Sequence, residues 1–152
     1  MKAPLEVGIC VSSLERAATF YESVLGFTRI SEAALAADRA AQAGFGSVSF
    51  RMVRMQTNYG ERIKLLQPEP PPARSGSGAI LARAGISYLT FVVADLDAAL
   101  QRLARAGAQT FSSAPVQTRP GTRLAFFRDS EGNVLELVQY DDLGAYRPDI
   151  PH

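Results

Sequence analysis

The chain has 152 residues, 47% of them hydrophobic and 20% charged, which is enough for one domain or two small halves sharing a core. Sixteen Lys and Arg against fifteen Asp and Glu leave a net charge of +1, so neither nucleic acid nor an anionic membrane is an expected partner. No apolar run reaches the roughly 18 residues of a membrane span, the opening MKAPLEVGICV reads poorly as a signal peptide, and the single Cys10 excludes an internal disulfide; the expected location is the cytoplasm.

In chain order, LEVGICVSSLERA (5–17) reads as an alternating strand, a polar break and a helix start. Ser12 with Glu15 suggests a capping box, Leu14, Ala17, Ala18, Tyr21, Val24 and Leu25 form an apolar stripe, and Gly26 stands where a helix ends. Strands are expected near 27–31, 47–56 and 62–67, with an extra alanine-rich helix, 31–44, that is either a lid or a plain surface helix. PEPPPARSGSG (68–78) has linker chemistry. SYLTFVVADLDAA (87–99) then repeats the opening pattern, with Asp95 as a cap, an apolar stripe through Leu96, Ala99, Leu100 and Leu103, and Gly107 as the stop. Strands follow near 109–112, 123–128 and 134–140, the last two joined by the turn Asp129-Ser130-Glu131-Gly132-Asn133. The expected organisation is a first module over 1–68, a linker over 69–84, a second module over 85–140 and a tail over 141–152. Each module is strand, helix and three strands, giving an α+β fold.

Alternation assigns the faces. Val7, Ile9 and Val11, Ile63 and Leu65, Leu89, Phe91 and Val93, and Leu135 and Leu137 form an apolar set that belongs under the helices. Glu6, Gly8 and Cys10, Lys64, Tyr88 and Thr90, and Glu136 fall on the opposite, mixed set. Polar groups from four strands therefore turn away from the helices, and a polar cleft is the simplest expectation.

The stretches VGICVSSLERAATFYESVLGF (7–27), IKLLQP (63–68), ISYLTFVVADLDAAL (86–100) and FFRDSEGNVLELVQ (126–139) resemble the vicinal oxygen chelate superfamily. That superfamily includes glyoxalase I, methylmalonyl-CoA epimerase, extradiol dioxygenases and bleomycin-resistance proteins. The resemblance implies two tandem βαβββ modules forming a curved eight-stranded mixed sheet around a cleft, usually in a homodimer. It also implies up to four metal ligands, at positions that are here Glu6, Lys64, Tyr88 and Glu136. Only Glu136 is of the usual type; with a metal present, Glu6 and Glu136 are the candidate ligands. Lys64 has no lone pair to offer while protonated and repels a cation. It suits two carboxylates, and the expectation is that it substitutes electrostatically for the ion, so that no metal or other cofactor is used. A solvated ion pair along the wall is the plainer alternative.

The only histidine, His152, is the last residue, which removes the commonest base and metal ligand. Arg51, Arg54, Arg123 and Arg128 lie on or beside the strands and can clamp an anion, while Phe50, Phe126, Phe127 and Tyr59 can supply stacking surface. Three functions compete. One is a metal-independent isomerase or lyase in which Glu136 or Glu6 moves a proton and Lys64 or Tyr88 stabilises an oxyanion, with Cys10, Thr90, Arg54, Phe50 and Phe126 as ligand-binding candidates. Another is a protein that only sequesters a small molecule; the third, a metal-dependent lyase, epimerase or dioxygenase, fits the inventory least.

Overall fold

The first strand, β1 (Glu6–Cys10), ends in a polar break because Ser13 supplies an extended N-cap whose Oγ accepts from the Arg16 N–H at 3.4 Å. Ser13 rather than Ser12 therefore caps α1 (Leu14–Leu25). Glu15 does not close a capping box; its carboxylate pairs with Arg29 at 2.7 Å. Gly26 ends the helix at φ 72°, the left-handed conformation that glycine adopts without a Cβ penalty. The buried face of α1 is Leu14, Ala17, Ala18, Phe20, Tyr21 and Val24, the spacing of one helical stripe. It packs over Ile9, Val53, Met55, Ile63 and Leu65 of the sheet, all buried.

That sheet continues through β2 (Thr28–Leu35), α2 (Ala37–Gln42), β3 (Phe50–Gln56) and β4 (Arg62–Pro68), in the order β1-β4-β3-β2. Strands β1 and β4 are parallel, and the other two pairings are antiparallel. The helix expected over 31–44 is thus a strand to Leu35 and a helix only from Ala37. Pairing of Ser31 through Leu35 with Arg54 through Phe50 overrides the helix propensity of the alanines.

The second half repeats the plan with β5 (Leu89–Val92), α3 (Leu96–Arg105), β6 (Val116–Arg119), β7 (Thr122–Arg128) and β8 (Val134–Tyr140). The sheet order is β5-β8-β7-β6, with β5 parallel to β8. Asp95 caps α3 as expected, Oδ1 accepting from the Ala98 N–H at 2.9 Å, and Leu96, Ala99 and Leu103 are fully buried beside Leu135 and Leu137. The strand expected near 109–112 is a single bridge, Thr110 to Phe127; the paired edge strand is Val116–Arg119. A short helix, α4 (Leu143–Tyr146), follows, and Tyr146 stacks on Tyr140 at 3.8 Å between ring centroids.

Two glutamines hold the same place in both halves. Gln67 Oε1, at the end of β4, accepts from the Leu14 N–H at 2.7 Å; Gln139 Oε1, at the end of β8, accepts from the Leu96 N–H at 2.8 Å. Each bond satisfies a helix-start donor that has no acceptor within its own helix and ties the helix to a central strand of its sheet.

The structure, a computed structural model, describes residues 4–73, 80–81, 85–111 and 114–149. Parts of the expected linker, and His152, lie outside the described residues. The chain divides into two compact units, Met1–Gly76 and Ser77–His152. No helix among the described residues is long and apolar enough to cross a membrane.

Candidate functional site

The sheet face away from α1 presents side chains in rows set by the strand register. Glu6 lies beside Arg62 and Gln56; Gly8 beside Lys64, Arg54 and Ser31; Cys10 beside Leu66, Met52 and Ala33; and Pro68 beside Phe50 and Leu35. The first two rows are charged and the last two apolar.

Three cations converge on Glu6. Lys64 Nζ and Arg54 Nε are each 3.5 Å from Oε2, and Arg62 Nη1 is 3.3 Å from Oε1. Burial pushes the Glu6 carboxyl up, but the Arg62 hydrogen bond and the charges of Arg54 and Lys64 pull harder, and its pKa ends below the ordinary value. A carboxylate held in this way is a counter-ion and a weak base. Lys64 therefore meets one of the two acids expected to flank it, and Arg62 joins as a third cation that the strand bounds expected from the sequence, 62–67, already contained. Its parity with Lys64 was the available signal.

Arg54 also donates from Nη1 to Ser31 Oγ at 3.4 Å, while its buried Nε makes no hydrogen bond. Cys10 is exposed, and Phe50 packs against Phe45 at 5.1 Å. The remaining arginines serve other ends. Arg51 is exposed in the row of Val53 and Met55, Arg123 pairs with Asp97 of α3 at 2.9 Å, and Arg128 donates to the Gly132 carbonyl and lies over the Phe111 ring at 4.8 Å. Phe127 belongs to the core and Tyr59 is exposed in the β3–β4 turn, so neither joins this face.

In the second unit Glu136 pairs across the register with Thr90 on one side and Phe126 on the other. Glu136 is buried, 9% exposed as a residue, and Thr90 Oγ1 donates to its Oε2 at 2.6 Å. Tyr88, just before β5, meets the Phe126 ring edge-on at 5.1 Å and is 39% exposed. Glu136, Thr90, Phe126 and Tyr88 thus form one cluster: an oriented carboxylate next to an aromatic pair.

The first-unit residues at the expected ligand positions, Glu6 and Lys64, do not fit a divalent cation. The first-unit carboxylate is already surrounded by three positive groups, each of which repels an added cation. Among the described residues, no three His, Cys, Asp or Glu side chains gather into a group that could hold a metal.

A paired βαβββ chain with these sequence features belongs to the Glyoxalase/Bleomycin resistance protein/Dioxygenase superfamily, whose pattern it matches over residues 4–137. Among solved structures it is similar to a glyoxalase family protein from Bacillus cereus, with 27% identity, a TM-score of 0.79, and 92% of this chain and 95% of that one covered. An antibiotic binding protein from a Streptomyces species shares the fold at 21% identity and a TM-score of 0.60, covering 92% of this chain and 97% of that one. The fosfomycin resistance protein FosX from Mesorhizobium loti shares it at 16% identity and a TM-score of 0.58, covering 99% of both chains. No curated protein matches the sequence.

Proposed function

We propose that this chain is a small-molecule isomerase or lyase that needs no resident metal, with Glu136 as the carboxylate that moves a proton beside a carbonyl. The observation that carries the metal-independent part is the convergence of Lys64, Arg54 and Arg62 on Glu6, which puts fixed cations where a metal would need donors. Glu136 suits the proton-transfer role because Thr90 orients it and because it, unlike Glu6, has no ion-pair partner among the described residues to hold it as a counter-ion. For that role the carboxylate must come within about 3 Å of the proton it takes. An oxyanion that develops as the proton leaves is stabilised by permanent positive charge or by a phenol donor such as Tyr88.

The Tyr88–Phe126 pair favours a second reading, a protein that stacks an aromatic compound and leaves it unchanged. Glu136→Gln separates the two. If Glu136 is the base, the variant keeps ligand affinity and loses turnover by at least a hundredfold. If the protein only sequesters, wild type and variant alike return every bound compound unaltered. Elemental analysis of protein purified without added ions tests the metal-independent part, and one tightly held transition metal per chain overturns it. The same reading takes the chain as a cytoplasmic homodimer, which sedimentation and cell fractionation check.

A further inference from the structure

We infer that the helix-free face of the first unit is a binding site for an amphiphilic organic anion, its carboxylate or phosphate head on the charged rows and its apolar body along the apolar ones. The charge ledger points to an anion: Lys64, Arg54 and Arg62 face a single carboxylate, Glu6, leaving two positive charges unmatched within the group. The donors are available as well. Lys64 Nζ carries three N–H groups and ion-pairs with Glu6 alone among the described residues, at 3.5 Å. Gly8 lies between Glu6 and Cys10 on this face and opposite Lys64, so the β1 position directly across from Lys64 carries no side chain. Even a Cβ there would meet only Leu66 Cδ1, at 3.5 Å.

The apolar half follows from the same register. Moving along the strands from the Lys64 row, the face changes to Cys10, Leu66 and Met52, then to Pro68 and Phe50, with no charged group in either row. Lys64 to Pro68 is four residues of strand, about 13 Å at the ordinary rise. A ligand with its anionic oxygen at Lys64 and Arg54 therefore runs its body over Leu66 and Met52 and reaches Phe50 when it is about that long. Charge complementarity at one end and apolar surface at the other favour such a molecule over a short polar anion or a neutral hydrocarbon.

The inference stands whether or not Glu136 turns a ligand over, because its test reads binding alone. Titration calorimetry on the full chain at low salt uses 6-phenylhexanoate, its neutral amide, and acetate as probes. The acid is expected to bind saturably, the amide at least tenfold more weakly, acetate without saturation, and 0.5 M salt to weaken the acid severalfold. Arg54→Met and Met52→Glu, checked for folding by circular dichroism, are each expected to lower affinity for the acid at least tenfold. Equal binding of acid and amide overturns the proposal, as does no saturable binding of the acid. A Met52→Glu variant that turns a dimer into a monomer also overturns it, by showing that a second copy occupies the face. The acid–amide comparison needs no variant, so a misfolded substitution does not remove the test.

Discussion

Replacing Gln139 by methionine, similar in shape but without the amide, probes the strand-to-helix tie directly. The change removes the 2.8 Å bond to the Leu96 N–H, and Leu96 is fully buried, so water has poor access to the orphaned donor. Losing one partner of a buried hydrogen bond costs about 1–3 kcal/mol, which for a chain of this size corresponds to roughly 3–10 °C in Tm. Gln67→Met should act in the same direction through Leu14, with a cost nearer the lower end because Leu14 is not fully enclosed. Urea unfolding followed by far-ultraviolet circular dichroism measures both, with Gln117→Met on the exposed edge strand β6 as a control expected within about 0.5 kcal/mol of wild type. If Gln139→Met and Gln67→Met both fall within the control's range, solvent satisfies the helix starts and the ties contribute nothing to stability.

Two further outcomes follow from the same geometry. Gly26→Ala should cost about 1–2 kcal/mol by thermal unfolding, because φ is 72° there and a Cβ meets no neighbour within 4 Å; the penalty is purely conformational, and Gly26→Asn should recover part of it. The carboxyls of Glu6, Glu15 and Asp97 all have lowered folded-state pKa values, Glu6 through the balance already described, Glu15 chiefly through the Arg29 hydrogen bond and Asp97 chiefly through that of Arg123. Their stabilising contributions are therefore complete above the unfolded values, 4.5 for Glu and 3.8 for Asp, and are lost as pH falls through the lower folded values. The urea midpoint should drop between about pH 5 and 3, and Asp97→Asn should flatten that slope; an unchanged slope would show that the Arg123 pair is inert.

The elements read most surely from the sequence were those in which two signals agreed. Helix α1 had a stripe and a glycine stop, α3 had the Asp95 cap, and β4 and β8 had alternation that fixed which residues went beneath the helices. Residues 31–35 misled because SEAAL has helix propensity and no strong alternation, and only pairing with β3, invisible locally, makes it a strand. Strand β6, VQTR, is exposed at every position and lies at the sheet edge, so burial left no pattern to find. At the candidate site, the register brought Glu6 to Lys64 and Glu136 to Thr90 and Phe126. The convergence of Arg54 and Arg62 on Glu6 needed strand order as well as parity, because those residues come from three different strands.

The glutamine ties have one more consequence. Lys64 and Gln67, like Glu136 and Gln139, are three residues apart on a strand, an odd spacing that sends them to opposite sides of the sheet. The anchor of each helix is thereby insulated from whatever reactive group its strand displays. A Lys64↔Glu exchange in one copy, or the reverse at 136 in the other, can rewrite the chemistry while the scaffold beneath stays bolted in place.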